Sequence, residues 1–311
     1  MTAIGENKDN QILEDEIDLK QIFYALWKSK FLIIFITSFV ALCSIFYALS
    51  LSNYYTSESV LVSRGSENTN SLSQLSGLVP FAGIGGLSGQ GNDSAFKVIE
   101  IIKSREFVKH LLSSQDILPS LIAPKAYDTD SQKLSFDPEI YDEDTKSWVR
   151  EIENNQSVEP TYLEAHRAYL EMLTITQDKL TRFINIKVEH ISPVFAKEFL
   201  TLIIKEANYL NREIDIDKST KALSYLKQEL SKTPLIEIKE SINQLIKAQL
   251  DTQMMASVHE EYSLIILEPP FIPDKRSRPT RSMIVIFSTL AGGLFSVILV
   301  LVRYFTSGKG K

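Results

Sequence analysis

The sequence predicts an α+β fold in which a mixed domain with a long helical part is anchored by two transmembrane helices. Two apolar runs without a charged side chain, residues 31–51 and 283–302, lie near opposite ends of the chain. A helix rises about 1.5 Å per residue, so roughly 20 residues suffice to cross the apolar core of a bilayer. Between the runs, residues 52–281 have an ordinary soluble composition that mixes alternating and helical apolar patterns.

The basic residues around the first run predict how the chain crosses the membrane. The run closely follows Lys20, Lys28 and Lys30. No Lys or Arg follows it until Arg64. Because cytoplasmic flanks are enriched in Lys and Arg, residues 1–30 should be cytoplasmic. Two spans then place residues 52–281 on the opposite side of the membrane and return the tail, 303–311, to the cytoplasm.

The second run gives no clear orientation, because basic residues flank it on both sides. Those before it are Lys275, Arg276, Arg278 and Arg281. Those after it are Arg303, Lys309 and Lys311. The first span therefore decides the orientation, since long loops cross the membrane largely regardless of their charge. We favour simple extension to the interface for Arg276, Arg278 and Arg281 over a contact with lipid head groups or an anionic polymer.

A cleavable signal peptide is the alternative for the first run, since residues 48–50 loosely resemble a cleavage site. Signal peptides have a short basic start and an apolar core of about 7–15 residues. Here a long, acid-rich leader precedes a longer apolar run. These lengths favour an uncleaved anchor.

Periodicity predicts the elements of the outer segment. Strands are expected at 55–63, 183–190 and 262–267, and shorter helices at 93–113 and 161–173. Residues 116–147 are expected to be irregular, because they are acidic and contain three prolines.

A long helix is predicted over residues 194–231, which contain no Pro or Gly. Its expected apolar stripe comprises Phe195, Phe199, Leu202, Tyr209, Ile216, Leu223 and Leu230. Pro234 interrupts the pattern, and a returning helix is predicted over 235–255.

Residues 268–281 are proline-rich and lead directly into the second span. The candidate residues of this neck are Pro269, Pro270, Pro273 and Pro279. Three of the prolines are spaced by multiples of three residues, which is the period of a polyproline II helix. The segment is therefore expected to be a stiff spacer without internal hydrogen bonds.

Two further segments contain small residues in suggestive positions. The segment 77–91 combines glycines with large apolar residues, and its candidate residues are Gly83, Gly85, Gly86 and Gly89. We favour an apolar loop that packs on a neighbouring subunit or the membrane over a plain linker, because disordered segments avoid such apolar residues. In the second span, small residues recur every fourth position, at Ser288, Gly292 and Ser296, a spacing that permits close helix packing.

The sequence predicts no catalytic residue, no metal site and no cofactor. The four histidines are isolated, and no HExxH or GxSxG pattern is present. Cys43, the single cysteine, lies in the first span. The acidic run Asp142–Glu143–Asp144 is interpreted as a solvated loop rather than a glycosidase pair. A net charge of −6 without a basic cluster argues against nucleic acid as a partner.

Three stretches, in this order between the two spans, resemble the Wzz-type polysaccharide co-polymerases. They are YTSESVLVSR at 55–64, FINIKVEHISPVFAKEFLTLIIKEAN at 183–208, and EPPFIPDKRSRPTRS at 268–282. Together with the spans, the resemblance covers almost the whole chain. Arg276 departs from the pattern, because it occupies a step of the neck where proline is expected. The family comprises the O-antigen chain-length determinants of Gram-negative inner membranes.

The resemblance implies a protein that performs no catalysis. Each protomer would have a membrane-proximal α/β domain and a long periplasmic helical extension, in a bacterial inner membrane protein whose termini are both cytoplasmic. Protomers would associate into a homo-oligomeric, bell-shaped ring that sets the length of a lipid-linked polysaccharide made by a separate polymerase. The growing glycan and lipid head groups are further candidate partners. The chain is similar to the kinase-less subclass, because no Walker motif follows the second span.

Two other functions stay open from the sequence. The first is a co-polymerase for another glycan, such as capsule or enterobacterial common antigen. The second is a membrane-anchored periplasmic sensor that lacks its own output domain.

Overall fold

The computed structural model describes residues 26–64, 90–150 and 158–306. The chain divides into two units, a pair of apolar helices within Met1–Leu51 and Pro279–Lys311, and a mixed unit over Ser52–Arg278. The predicted α+β fold with two candidate membrane helices is confirmed.

The helix pair consists of α1, Lys30–Ser50, and the last helix of the chain, α8, Arg281–Thr306. Among the described residues these are the two helices long and apolar enough to cross a bilayer. In their most apolar stretches, only 11% of α1 and 17% of α8 is buried, whereas the core helix of a soluble protein would be mostly buried. Both helices therefore expose apolar surface suited to lipid.

A four-stranded antiparallel sheet organises the mixed unit. Its strands are β1, Tyr55–Ser63; β6, Leu173–Gln177; β7, Ile184–His190; and β8, Leu264–Glu268. Their order is β6-β7-β1-β8, so that the strand directly following α1 lies inside the sheet. Tyr55 lies opposite His190, and Leu61 lies opposite Ile184.

Helices cover one face of this sheet and form the core with it. Three shorter helices contribute: α2, Gln90–Lys103; α3, Arg105–Ser114; and α5, Tyr162–Met172. Alternate residues of β7 are fully buried, as expected for a strand with one face against the core. The largest fully buried side chains of the core include Tyr169, Phe107, Leu61, Ile102 and Leu111.

The single helix predicted over 93–113 is in fact two helices, because Ser104 starts a new one. Ser104 has extended backbone angles, and its side chain accepts a hydrogen bond from the N–H of Phe107. Serine is a favoured N-cap residue for this reason. The apolar pattern continues across the break, so periodicity alone did not reveal it.

The irregular segment predicted over 116–147 contains regular structure. It holds the short helix α4, Leu118–Ile122, and four short strands, β2 Pro124–Asp128, β3 Lys133–Phe136, β4 Tyr141–Asp142 and β5 Ser147–Trp148. Strands β2 and β3 form one hairpin, and β4 and β5 another.

The acidic residues of this segment build its turns. Hydrogen bonds from Ser131 and from the N–H of Asp130 hold the pKa of Asp128 below its usual value. The Thr145 side chain lowers the pKa of Asp142 in the same way. Turn-forming aspartates bind their own backbone, so a high acidic content does not preclude hairpins.

A long helical hairpin follows β7. Helix α6 spans Pro193–Lys232 and α7 spans Ile236–Val258, beside the expected ranges 194–231 and 235–255. The Ser192 side chain caps α6 by accepting from the N–H of Phe195, and proline suits the first helical position because it needs no donor there.

The buried face of α6 includes part of the predicted stripe, since Phe199, Leu202 and Leu223 are buried. Tyr209 is 42% exposed, whereas Asn208, Asn211 and Ser219 are buried. The prediction followed large apolar residues, but the face that meets its neighbours contains small and polar residues whose side chains are hydrogen-bonded.

His190 lies buried where β7 leads into α6. Its Nδ1 accepts from the N–H of Ser192 at 3.0 Å, so the neutral ring carries its proton on Nε2 and donates to the carbonyl of Ser120 at 3.0 Å. The ring packs on Phe195, with centroids 4.5 Å apart. Burial lowers the pKa of His190 from 6.5 to about 4. The side chain is thus a structural part of the junction rather than a solvated one.

This environment predicts acid sensitivity. The unfolded chain binds a proton on His190 below pH 6.5, whereas the folded chain does so only near pH 4. The stability from the neutral ring is therefore complete above pH 6.5 and is lost as the pH falls towards 4, by about 3 kcal/mol. Urea unfolding of the full-length protein in nanodiscs, followed by circular dichroism between pH 7.5 and 4, measures this loss.

The His190→Asn variant should lose most of this pH-dependent contribution, because it has no proton to bind in this range. His259→Asn, at the half-buried C-terminal end of α7, serves as the control and should keep it. Equal pH dependence in the wild type and His190→Asn would contradict the assignment.

Candidate functional site

Among the described residues, no three His, Cys, Asp or Glu side chains lie close enough together to hold a metal ion. The features that the sequence singled out are instead a proline-rich segment and a pair of spans. Both are places where the chain fixes geometry, so their contacts define the candidate site.

The first half of the proline-rich segment is bound to β1 through serine hydroxyls. The prolines at 269, 270 and 273 have no N–H, so they cannot donate to a strand ladder. The Ser59 hydroxyl donates to the carbonyl of Glu268 at 2.7 Å, and the Ser57 hydroxyl donates to the carbonyl of Phe271 at 2.8 Å. Both serines are 0% exposed, although their neighbours on the same strand face include Leu61.

The second half of the segment is bound by backbone hydrogen bonds. The N–H of Tyr54 donates to the carbonyl of Arg278 at 2.9 Å, and the N–H of Ser277 donates to the carbonyl of Tyr54 at 2.8 Å. The Thr56 hydroxyl donates to Ser277 Oγ at 2.8 Å. Arg278 also forms an ion pair with Glu189 of β7, with Nε and Oε1 3.3 Å apart.

Residues 268–278 are therefore anchored along β1 rather than free-standing. The sequence predicted stiffness from proline alone, whereas the structure adds hydrogen bonds from the neighbouring strand. The four candidate prolines differ in burial: Pro273 is buried, Pro270 and Pro279 are half-buried, and Pro269 is exposed. Whether these residues act as a neck stays a prediction.

Asn208 of α6 holds the outer edge of β8. Its Oδ1 accepts from the N–H groups of Ser263 and Leu264, both at 2.8 Å, and its Nδ2 donates to the carbonyl of Leu264 at 3.0 Å. An exposed strand edge is a template for unwanted pairing, and this side chain satisfies part of it. Sequence reasoning missed Asn208, although an Asn inside a long helix is a usable signal, because Asn is a poor helix former.

A second polar contact joins α2, α6 and the segment before β8. Asp215 of α6 accepts from Lys97 Nζ at 2.8 Å and from the Tyr262 hydroxyl at 3.0 Å. Burial and the neighbouring Asp215 charge raise the pKa of Tyr262. The three side chains fix the base of the long hairpin against the sheet unit.

In the span pair, the predicted small residues face α1 to different degrees. Gly292 is buried, and a Cβ on it would lie 2.8 Å from Val40 Cγ1. Ser296 is 0% exposed, whereas Ser288 is half-buried. On α1, Ser44 and Ala48 are buried. The role of these residues in span packing stays a prediction, and the glycine-loop candidates Gly83, Gly85, Gly86 and Gly89 lie outside the described residues.

Removal of one serine hydroxyl should destabilise the mixed unit. In Ser59→Ala the carbonyl of Glu268 loses the hydrogen bond from a fully buried hydroxyl, at a cost of about 1 kcal/mol. Urea unfolding of the full-length protein in nanodiscs measures the change. Ser135→Ala is a matched control, because this hydroxyl also donates to a carbonyl, that of Ala126, but is exposed. A loss in Ser59→Ala no larger than that in the control would contradict the role of the buried hydroxyl.

The two adjacent glycines of α8 offer an internal comparison. Gly292→Ala should separate α1 and α8, because its Cβ would overlap Val40, whereas Gly293→Ala should not, since its Cβ would meet Thr37 Cγ2 at 4.0 Å. Spin labels on the two spans, placed in a Cys43→Ser background, report the separation by pulsed electron resonance. The double variant Val40→Gly with Gly292→Ala should restore the wild-type distance, because it also removes the Val40 Cβ that would lie 2.9 Å from the new Cβ. Equal distances in both glycine variants would count against this packing.

The chain was compared with known proteins. Residues 15–115 match the Wzz family model, described as chain length determinant protein. A solved structure described as a full-length bacterial polysaccharide co-polymerase aligns with 94% of this chain and 99% of that chain, at 13% identity and a TM-score of 0.41. No curated protein sequence matches the chain. The family match includes α1, β1 and the start of the helical core. Residues 15–115 therefore match the chain length determinant domain of the Wzz family, which confirms the family resemblance over this part of the chain.

Proposed function

We propose that this protein regulates the chain length of lipid-linked O-antigen without performing catalysis itself. A role in polysaccharide chain-length determination follows from the Wzz family match over residues 15–115. That match is the observation that carries the proposal. The Wzz family is generally regulatory rather than catalytic.

The proposed location is the bacterial inner membrane, with both termini in the cytoplasm and the mixed unit in the periplasm. Two helices of suitable length and hydropathy support the two crossings. The lysines that precede α1 support the cytoplasmic position of the amino terminus. A kinase-less subclass is part of the proposal, with a separate polymerase as the catalytic partner.

The proposed working form is a homo-oligomer in which the long hairpins of neighbouring copies meet. Helix α6 has 40 residues, yet past Leu223 it has no buried residue. Large apolar side chains are exposed along the hairpin: Tyr225 at 63%, Ile236 at 81%, Met254 at 64% and Val258 at 73%. Two antiparallel helices cannot cover such residues by themselves, whereas a neighbouring copy can. An oligomer would then act as a scaffold through geometry and contact.

Deletion of the gene should change the lipopolysaccharide ladder on a gel. A strain with a polymerase-dependent O-antigen should lose its preferred band size and show an unregulated distribution. Complementation with the wild type should restore the preferred size. Complementation with Met254→Glu, which places a charge in the exposed apolar stripe, should restore it poorly and weaken the oligomer in membranes.

Gln244→Glu is the matched control, since it adds the same charge at an exposed polar position of α7. An unchanged ladder after deletion would overturn the O-antigen role. A change confined to capsule or to enterobacterial common antigen would assign the protein to that glycan instead.

A further inference from the structure

Four cations and one carboxylate lie between Asp274 and Arg281, directly before the second span. The cations are Lys275, Arg276, Arg278 and Arg281. In the proposed orientation, on which this inference rests, the segment is periplasmic. Periplasmic flanks of spans are normally poor in Lys and Arg, so these residues depart from the general rule.

Two of the four cations bind partners within their own unit of the structure. Arg278 is paired with Glu189, at 3.3 Å. Within the helix pair, Arg281 donates to the carbonyl of Leu51 at 3.2 Å. Both therefore have roles inside their own unit.

Lys275 and Arg276 have no such partners. Arg276 Nη1 approaches only the neutral Asn53 Oδ1, at 3.5 Å. Within the described ranges, Lys275 makes no hydrogen bond or ion pair, and both side chains are exposed. Asp274, their acidic neighbour, is exposed as well. Two cations thus stand next to each other, with the carboxylate of Asp274 beside them in the sequence.

The backbone beneath these cations is fixed, so their charge is presented at a defined place. Ser57 holds the carbonyl of Phe271, and Tyr54 holds Ser277 and Arg278. Pro273 limits the backbone between these anchors. Side chains on an ordered backbone lose less conformational freedom when they bind a ligand than those on a flexible one.

Exposed apolar side chains lie just before Lys275 and Arg276 in the chain. Phe271 is 49% exposed and Ile272 is 50% exposed. Apolar side chains beside cations are the combination by which peripheral segments bind the interface of a membrane, with the apolar groups at the acyl boundary and the cations at phosphate.

Chain length keeps the segment within reach of a bilayer that contains the second span. Arg276 precedes Met283, the first residue of the apolar run, by seven positions. Seven residues extend over at most roughly 25 Å, and less when the chain is not straight. The interfacial layer on each side of the apolar core is about 5–7 Å thick, which makes the lipid phosphates the nearest abundant anions.

We propose that residues 271–276 form a lipid-surface contact in which Lys275 and Arg276 bind phosphate groups of anionic lipids and Phe271 and Ile272 enter the interface. This contact gives a function to the Lys and Arg residues that flank the second span on its proposed periplasmic side, where such residues are normally rare. It also ties the segment anchored on β1 to the bilayer surface.

Hydrogen exchange of the full-length protein in nanodiscs tests the proposal. Amides of 272 and 274–276 should exchange at least threefold more slowly in nanodiscs with 30% anionic phosphatidylglycerol than in purely zwitterionic ones at low salt. The difference should shrink at 0.5 M salt, because salt screens exposed charges within a few ångströms. It should vanish in the double variant Lys275→Gln with Arg276→Gln.

Lys239→Gln with Lys247→Gln is the matched control, since both lysines are exposed on α7 and far along the chain from the segment. Equal exchange in both lipid compositions would overturn the proposal. Slower exchange only after a polyprenyl-diphosphate-linked saccharide is added to zwitterionic nanodiscs would also overturn it, and would assign the cations to the glycan carrier. Nanodiscs expose both faces of the bilayer, so the exchange experiment does not depend on which side of the cell membrane the segment occupies. A reporter fusion that places residues 52–281 in the cytoplasm would therefore refute the proposed function, whereas the exchange rates alone decide the lipid contact.

Discussion

The mixed unit depends on the hydrogen bonds that two buried serine hydroxyls donate to a proline-rich segment, which cannot itself form a strand ladder. Ser57 and Ser59 occupy positions on β1 where a core strand would ordinarily carry apolar side chains. They donate to the carbonyls of Phe271 and Glu268, in a stretch where proline has removed the usual donors. Each such hydrogen bond contributes about 1 kcal/mol, so these hydroxyls help the proline-rich segment to follow β1 beyond the end of β8.

The same principle operates on the helical side of the unit. Asn208 binds the edge of β8 with three hydrogen bonds, and Asp215 joins Lys97 to Tyr262. Helix α6 thereby uses small and polar residues where it meets the sheet unit. Hydrogen bonds are directional, whereas apolar contacts are not, so these groups specify one position of the helix among several that would bury similar area. A protein proposed to act through geometry benefits from such defined contacts.

Much of the fold could be predicted because hydrophobic periodicity reports burial. The alternation in 184–190 gave β7, and the absence of Pro and Gly after Pro193 gave α6. The pattern failed where a hydrogen bond decided the structure, at Ser104 between α2 and α3 and in the aspartate-capped turns between residues 118 and 148. The apolar stripe of α6 was misplaced at Tyr209 for the same reason, because Asn208 takes the buried position.

By itself, the sequence determined the two spans, the strand that follows the first, the long hairpin and the family resemblance. Each of these depends on residue type and spacing along one element, which a single chain displays directly. Only the tertiary structure decided which side chains meet: that β1 lies between β7 and β8, that its serines hold the proline-rich segment, and that Gly292 rather than Gly293 lies against Val40. Such pairings join residues more than 120 positions apart, and their register is set by packing in three dimensions that no local pattern contains.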